Sequence, residues 1–173
     1  MSSPVVHNFM RQQGFAEEPP DACDMRFEGL YYQPRRVFPT ILVATVLQLV
    51  SVRYSAALFF LVSALLWWNT LVPALNPFEA AYNRLVARPR GLAVLTAAPG
   101  PRRFAQGLAA ALTLGAGAAL LAGLHGLAWA VQAMLVVAFS LLLFGKFCLG
   151  AYVYHLIRGR VAFANSTLPW ARG

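Results

Sequence analysis

Two thiols, three imidazoles and six carboxylates are the groups in this 173-residue chain best suited to chemistry, and their placement limits what they can do. Cys23 and Cys148 are too few for a disulfide framework and have no clustered metal ligands around them, so both are expected to stay reduced and no metal centre is expected. His7, His125 and His155 fall in the polar leader, in a short turn and at the end of the last apolar run. No two share a helical face, which argues against a two-histidine haem or metal site. His155 alone is left as a candidate axial ligand for a pigment, with an interfacial hydrogen bond as its alternative role. No Asp or Glu follows Glu79, so the second half of the chain lacks the facing carboxylates that proton relays and general acid–base pairs need. No catalytic residue is assigned.

The elements that must position these groups are membrane helices. The chain is 59% hydrophobic and 12% charged, outside the ordinary soluble range. Its net charge of +8 is explained by membrane orientation, so no nucleic-acid partner is expected. The predicted fold class is an all-α integral membrane protein: four transmembrane helices arranged as two hairpins, plus a short amphipathic interfacial helix. Residues 1–36 read as a cytoplasmic N-terminal extension without a cleavable signal, and 158–173 as a cytoplasmic tail. The transmembrane domain is 37–157, with spans at 37–52, 55–75, 104–124 and 127–157 and a cytoplasmic loop at 76–103. Arg53-Tyr54 and His125-Gly126 are the expected tight turns. The first run is about 24 Å long, short for a core of about 30 Å, and the fourth would reach about 46 Å as one helix. Lys146 is expected to snorkel near the interface.

Within the third span every fourth residue is small: Gly107, Ala111, Gly115, Ala119 and Gly123. In lipid such a ridge lets helix backbones approach, so it is predicted to be a packing surface, and Ala116 is expected to lie off it. Polar residues in the spans, Gln48, Asn69, Thr70, Thr113, Gln132 and Ser140, are expected to satisfy one another or backbone groups across helices.

Asn76-Pro77-Phe78-Glu79 is a helix start, with Asn as N-cap, Pro at the first position and Glu at the third. Phe78, Ala81, Tyr82 and Leu85 then mark an apolar face of a helix that ends before Pro89, either lying on the membrane surface or packed as a connector. Arg84, Arg88, Arg90, Arg102 and Arg103 make this connection basic and suit anionic lipid headgroups or a partner. Arg53 is the sole Lys or Arg beside the two short turns, which places both termini and the central loop in the cytoplasm. Pro34-Arg35-Arg36-Val37-Phe38 and Pro101-Arg102-Arg103-Phe104 hint at a parallel internal repeat.

Several of these elements carry a resemblance. Asn76-Pro77 with Tyr82, Arg84-Leu85-Val86, Arg88-Pro89, Pro101-Arg102-Arg103-Phe104-Ala105-Gln106 and Phe147-Cys148-Leu149-Gly150 with Tyr154 resemble a bacterial membrane family catalogued as domain of unknown function four-three-nine-five. Relatives often carry Cys-Leu-Gly-Cys in the last helix, which implies a thiol role, but here Ala151 takes the second position. A dithiol then needs Cys23, within reach only if the leader folds back onto the fourth helix. Cys148 is therefore expected to be a small buried apolar residue.

Taken together, the expected function is a non-catalytic accessory or scaffolding subunit of the bacterial cytoplasmic membrane. It would pack against larger membrane proteins, with a respiratory or photosynthetic electron-transfer complex as the kind of partner. No cofactor of its own is expected, only contact with the lipids or pigments of that complex. The alternatives are a thiol-linked membrane oxidoreductase or its partner, and a small-solute carrier using the arginines of the central loop.

Overall fold

The computed structural model describes residues 4–15 and 26–171, all of whose regular elements are helical. In chain order these are α1 (Pro4–Gln13), α2 (residues 26–30), α3 (Pro34–Leu47), α4 (Val52–Leu71), a 3-10 turn (Pro73–Leu75) and α5 (Pro77–Tyr82). A π-helical turn (Asn83–Ala87) follows, then α6 (Gly100–Leu121), α7 (His125–Leu143), α8 (Leu149–Ile157) and α9 (Val161–Ser166).

Three helices, α4, α6 and α7, are long and apolar enough to cross a membrane. The fourth packed helix, α3, has 14 residues, about 21 Å, and ends before Gln48. The turn between α3 and α4 is therefore 48–51, and Arg53-Tyr54, expected to turn, lies within α4. The second turn likewise precedes His125-Gly126: residues 122–124 make it, with Gly123 at φ 73°, and His125 opens α7. Positive φ is what a glycine supplies without steric cost.

The largest correction concerns the last apolar run, expected as one helix over 127–157. It breaks at 144–148. Phe147 N–H turns back onto the Leu141 carbonyl at 3.1 Å, and Lys146 adopts φ 50°. Left-handed backbone is uncommon for a residue with a side chain, and the Lys146 ammonium lies 5.4 Å from the Phe27 ring centroid. Rather than snorkelling from a continuous helix, Lys146 marks the point where α7 ends and α8 can turn away.

The four-helix core contains Ile41, Ala44, Phe59, Leu66, Ala110, Ala116, Leu120, Ala128 and Leu135. Polar side chains fasten it. Ser55 Oγ donates to the Ala44 carbonyl at 2.7 Å, tying α4 to α3, and Ser63 Oγ donates to the Ala110 carbonyl at 2.8 Å, tying α4 to α6. Gln48 and Gln132 exchange amide hydrogen bonds of 2.9 and 3.2 Å between α3 and α7. Thr70 and Thr113 bond the carbonyls of their own helices, while Asn69, fully buried, has neither side-chain atom partnered.

The small-residue ridge divides. Gly107 packs against α4, where an added Cβ would meet the Thr70 methyl at 3.2 Å, and Ala119 is buried. Ala111 and Gly115 are exposed, and an added Cβ at Gly115 or Gly123 meets nothing within 4 Å. The buried face of α6 instead includes Gln106, Ala110, Thr113, Gly117 and Leu120. Its tightest glycine is Gly117, where an added Cβ would meet the Phe60 ring at 2.8 Å. Ala116, expected off the packing face, is fully buried. Side-chain volume alone did not reveal the helix phase, because the wider run of buried polar and apolar residues sets it.

Candidate functional site

At one end of the bundle the leader, the central connection and the tail close into a cap with its own apolar core. Phe9, Met10, Phe15, Leu30, Tyr31, Tyr82, Ala87, Leu95, Cys148 and Ala151 are buried together there. Phe9, Phe27 and Tyr31 form a mutual aromatic cluster with centroids 4.7 to 5.7 Å apart. Burying large rings of this kind is what lets segments that read as polar form a second core.

The central connection builds one wall. Asn76 caps α5 as its sequence predicts, its Oδ1 accepting from Phe78 N–H at 3.0 Å and Glu79 N–H at 3.4 Å. Beyond Tyr82 the backbone widens, with Arg88 N–H bonding five residues back to Asn83 O, and the helix ends before Pro89. The π turn changes the facing of the side chains. Glu79, Tyr82 and Ala87 are buried, and Leu85, assigned to the apolar face by spacing, is 67% exposed. Asn83 grips the following loop at both backbone atoms of Leu95, at 2.7 and 2.9 Å.

Glu79 turns inward because Arg102 meets it. Arg102 Nη2 lies 3.5 Å from Glu79 Oε1, with both side chains 7% exposed. Arg102 therefore leaves the set assigned to lipid headgroups, while Arg84, Arg88, Arg90 and Arg103 remain exposed. Burial raises the Glu79 carboxyl above its ordinary range, and Arg102 and the Asn76 side chain pull it back down.

Cys148 occupies the junction of cap and bundle. The break after α7 makes it the N-cap of α8 rather than a residue inside a long helix. Its backbone N–H donates to Gln12 Oε1 at 2.8 Å, and the Gln12 carbonyl meets His155 Nε2 at 3.1 Å, so one leader residue holds both ends of α8. Asn8 Nδ2 reaches further, to the carbonyls of Leu168 and Ala171 at 3.0 Å each. Burial raises the thiol pKa, opposed in order by the Ala151 N–H, the Gln13 side chain, the Gly150 N–H and the charge of Arg102. The leader does fold back onto α8, but Cys23 lies outside the described residues. Phe15 and Phe27, on either side of it, both pack in the core that holds Cys148.

Gly150 sets the crossing of α8 over α6. A Cβ there would lie 2.7 Å from the Ala105 Cβ and 2.8 Å from its Cα, so the two backbones touch. Beside the thiol is a cavity of about 100 Å³ lined by Phe9, Gln13, Gln33, Arg102, Gln106 and Cys148 among others. Gln106 donates to Gln33 Oε1 at 2.8 Å, while Gln13 Nε2 and Gln106 Oε1 make no hydrogen bond. The arrangement can hold a thiol protonated in the dark of the junction and would surround a thiolate with donors if one formed.

The three histidines stay apart. His155 is buried with its Nε2 committed to Gln12 and its ring against Phe163 and Tyr154; His125 is exposed at the start of α7; His7 lies on α1. Among the described residues no group of three His, Cys, Asp or Glu side chains is placed to hold a metal. Gln12, Gln13 and Gln33 carry no sequence signal, and Tyr31, which by its place before the first apolar run reads as an interfacial aromatic, donates its hydroxyl to the Leu142 carbonyl at 2.9 Å. The partners of Gln12, Gln33 and Tyr31 lie more than seventy residues away, and no local pattern announces them.

No curated protein and no solved structure matches the chain. Residues 33–159, covering α3 to α8 and including Glu79, Arg102 and Cys148, match the family described as Domain of unknown function (DUF4395), and the chain belongs to that family.

Proposed function

We propose that the chain is a non-catalytic accessory or scaffolding subunit of the bacterial cytoplasmic membrane that packs against larger membrane proteins. Respiratory and photosynthetic electron-transfer complexes are the assemblies to search first. The observation that carries this reading is the fastening of the cap. Its buried polar groups join segments distant in sequence, Asn8 to the tail, Gln12 to both ends of α8 and Glu79 to Arg102, and so hold an extramembrane platform rigidly on the spans. Groups used in this way stabilise one geometry; they do not converge on a reacting centre. In this reading α3, extended by residues 31–33, is the fourth crossing, and both termini and the connection face the cytoplasm. The gathering of all three basic segments at one end supports that orientation.

Purification of the full chain from native membranes in mild detergent should recover a larger integral membrane protein at fixed stoichiometry. Recovery of the chain alone, under conditions that keep other complexes intact, overturns the reading. A reporter active only outside the cytoplasm should be silent fused at Gly173 and active when inserted at residues 122–124.

One observation favours a second reading, a thiol-linked membrane oxidoreductase or its partner: Cys148 sits at the N-terminus of α8 with the leader folded over it. Cys148→Ala separates the two. Function close to wild type fits packing, and complete loss of function in a folded protein transfers the assignment to the thiol. Trapping Cys23 and Cys148 as a disulfide would strengthen that second reading. The carrier reading gains no comparable support, since Arg102 is committed to Glu79.

A further inference from the structure

A groove of about 450 Å³ opens where α4, α6 and α8 meet below the cap, walled by Trp67, Thr70, Phe104 and Tyr154 and rimmed by Arg103 and Arg158. Arg103 is anchored by one bond, Nε to the Thr70 carbonyl at 3.1 Å, which leaves its terminal amino groups at the mouth. Arg158 lies with its guanidinium 5.3 Å from the Tyr154 ring centroid. Among the described residues no acidic side chain lines the groove, and none occurs in the sequence after Glu79. The mouth is therefore a cationic site with aromatic walls, at the depth where α6 leaves the cap.

The floor is Gly107, and the same face of α6 continues through Ala111 and Gly115, both exposed. Eight residues of helix make this trough about 12 Å long, drifting sideways as it descends. Nothing among the described residues covers its lower end, since an added Cβ at Gly115 meets no atom within 4 Å. Small residues alone would fit a helix or a lipid equally well. The two cations at the mouth decide between them, because an extended apolar channel under a doubly basic rim matches a molecule with one anionic head and an acyl chain.

We propose that this groove binds an anionic diacyl phospholipid, its phosphate between Arg103 and Arg158 and one acyl chain along Gly107, Ala111 and Gly115. The inference goes beyond the scaffolding reading and stands whether or not a protein partner is found. Juxtamembrane basic residues attract anionic over zwitterionic lipid, and the glycine floor gives that attraction a fixed place.

The test is native mass spectrometry of the delipidated full chain in detergent, titrated with dioleoyl phosphatidylglycerol or dioleoyl phosphatidylcholine. The wild type should retain phosphatidylglycerol in preference. Arg103→Gln/Arg158→Gln should weaken it by about fivefold per arginine removed, while Arg35→Gln/Arg53→Gln, the same loss of exposed charge outside the groove, should not. Gly115→Leu fits the fold and should weaken the dioleoyl lipid while sparing a dihexanoyl phosphatidylglycerol too short to reach it. Equal retention of the two headgroups, equal effects of the two double variants, or unchanged dioleoyl binding in Gly115→Leu would each overturn the proposal. Thermal melting of each variant, with exposed positions changed throughout, confirms that losses are not unfolding.

Discussion

The bundle and the cap are held by different kinds of contact. In the bundle, small residues and short hydroxyls let helices meet backbone to backbone, and polar bonds join helices that pack side by side: Ser55 to Ala44, Ser63 to Ala110, Gln48 to Gln132. In the cap, aromatic side chains fill the interior and the polar bonds span most of the chain, from Asn8 to Leu168 and Gln12 to Cys148. The lesson is one of solvent. Lipid offers no hydrophobic force between helices, so close packing and a few hydrogen bonds must associate them. The cap lies beyond the long apolar helices and can use ordinary apolar burial, which closes a core from segments that individually read as polar.

If that contrast is right, the largest single loss should come from the buried ion pair that joins the two regions. Arg102→Leu leaves the Glu79 carboxyl without its opposite charge and should cost about 3 kcal/mol. Limited proteolysis should then cut the leader and connection well before the spans melt; melting of cap and bundle together would erase the distinction. The same pair gives a pH signature. Burial raises Glu79 above its ordinary value of 4.5. An acid raised in this way stabilises the fold fully below its unfolded pKa, and the contribution is lost as pH rises through the folded pKa. Cap stability should therefore fall as pH climbs from about 4.5, and Glu79→Gln should flatten that slope.

Glycines sharpen the comparison at the next scale. Gly150→Val drives a branched side chain into Ala105 where α8 crosses α6, and such overpacking typically costs about 1–3 kcal/mol. Gly115→Leu, on the ridge that first looked like the packing surface, should change the melting of the isolated chain by less than about 0.5 kcal/mol. Thermal unfolding in detergent ranks the two directly, and a larger loss at Gly115 would restore the ridge as a seam of the chain itself. The bundle's amide pair gives a contrast within one contact. Gln48→Leu alone strands the buried Gln132 amide at about 1 kcal/mol, whereas the Gln48→Leu/Gln132→Leu double variant should come close to neutral.

The sequence by itself determined the membrane character, the helical class, the cap of α5 at Asn76 and the end of that segment before Pro89. Each follows from local chemistry: apolar runs long enough for lipid, a side-chain oxygen placed to receive the first free N–H groups, and a ring that cannot continue a helix. Turn positions missed by a few residues because Gln48 and Leu124 carry no strong local stop signal, and the last run hid its break because Gly145 alone hardly interrupts an apolar stretch. Tertiary structure alone decided which face of α6 is buried, that Arg102 turns inward while Arg103 beside it turns out, and that Cys148 caps a helix under the leader. Those outcomes depend on partners dozens of residues away. A helix's phase about its axis is fixed by what packs against it, and adjacent arginines differ here because one meets a buried carboxylate and the other a carbonyl at the rim of a groove.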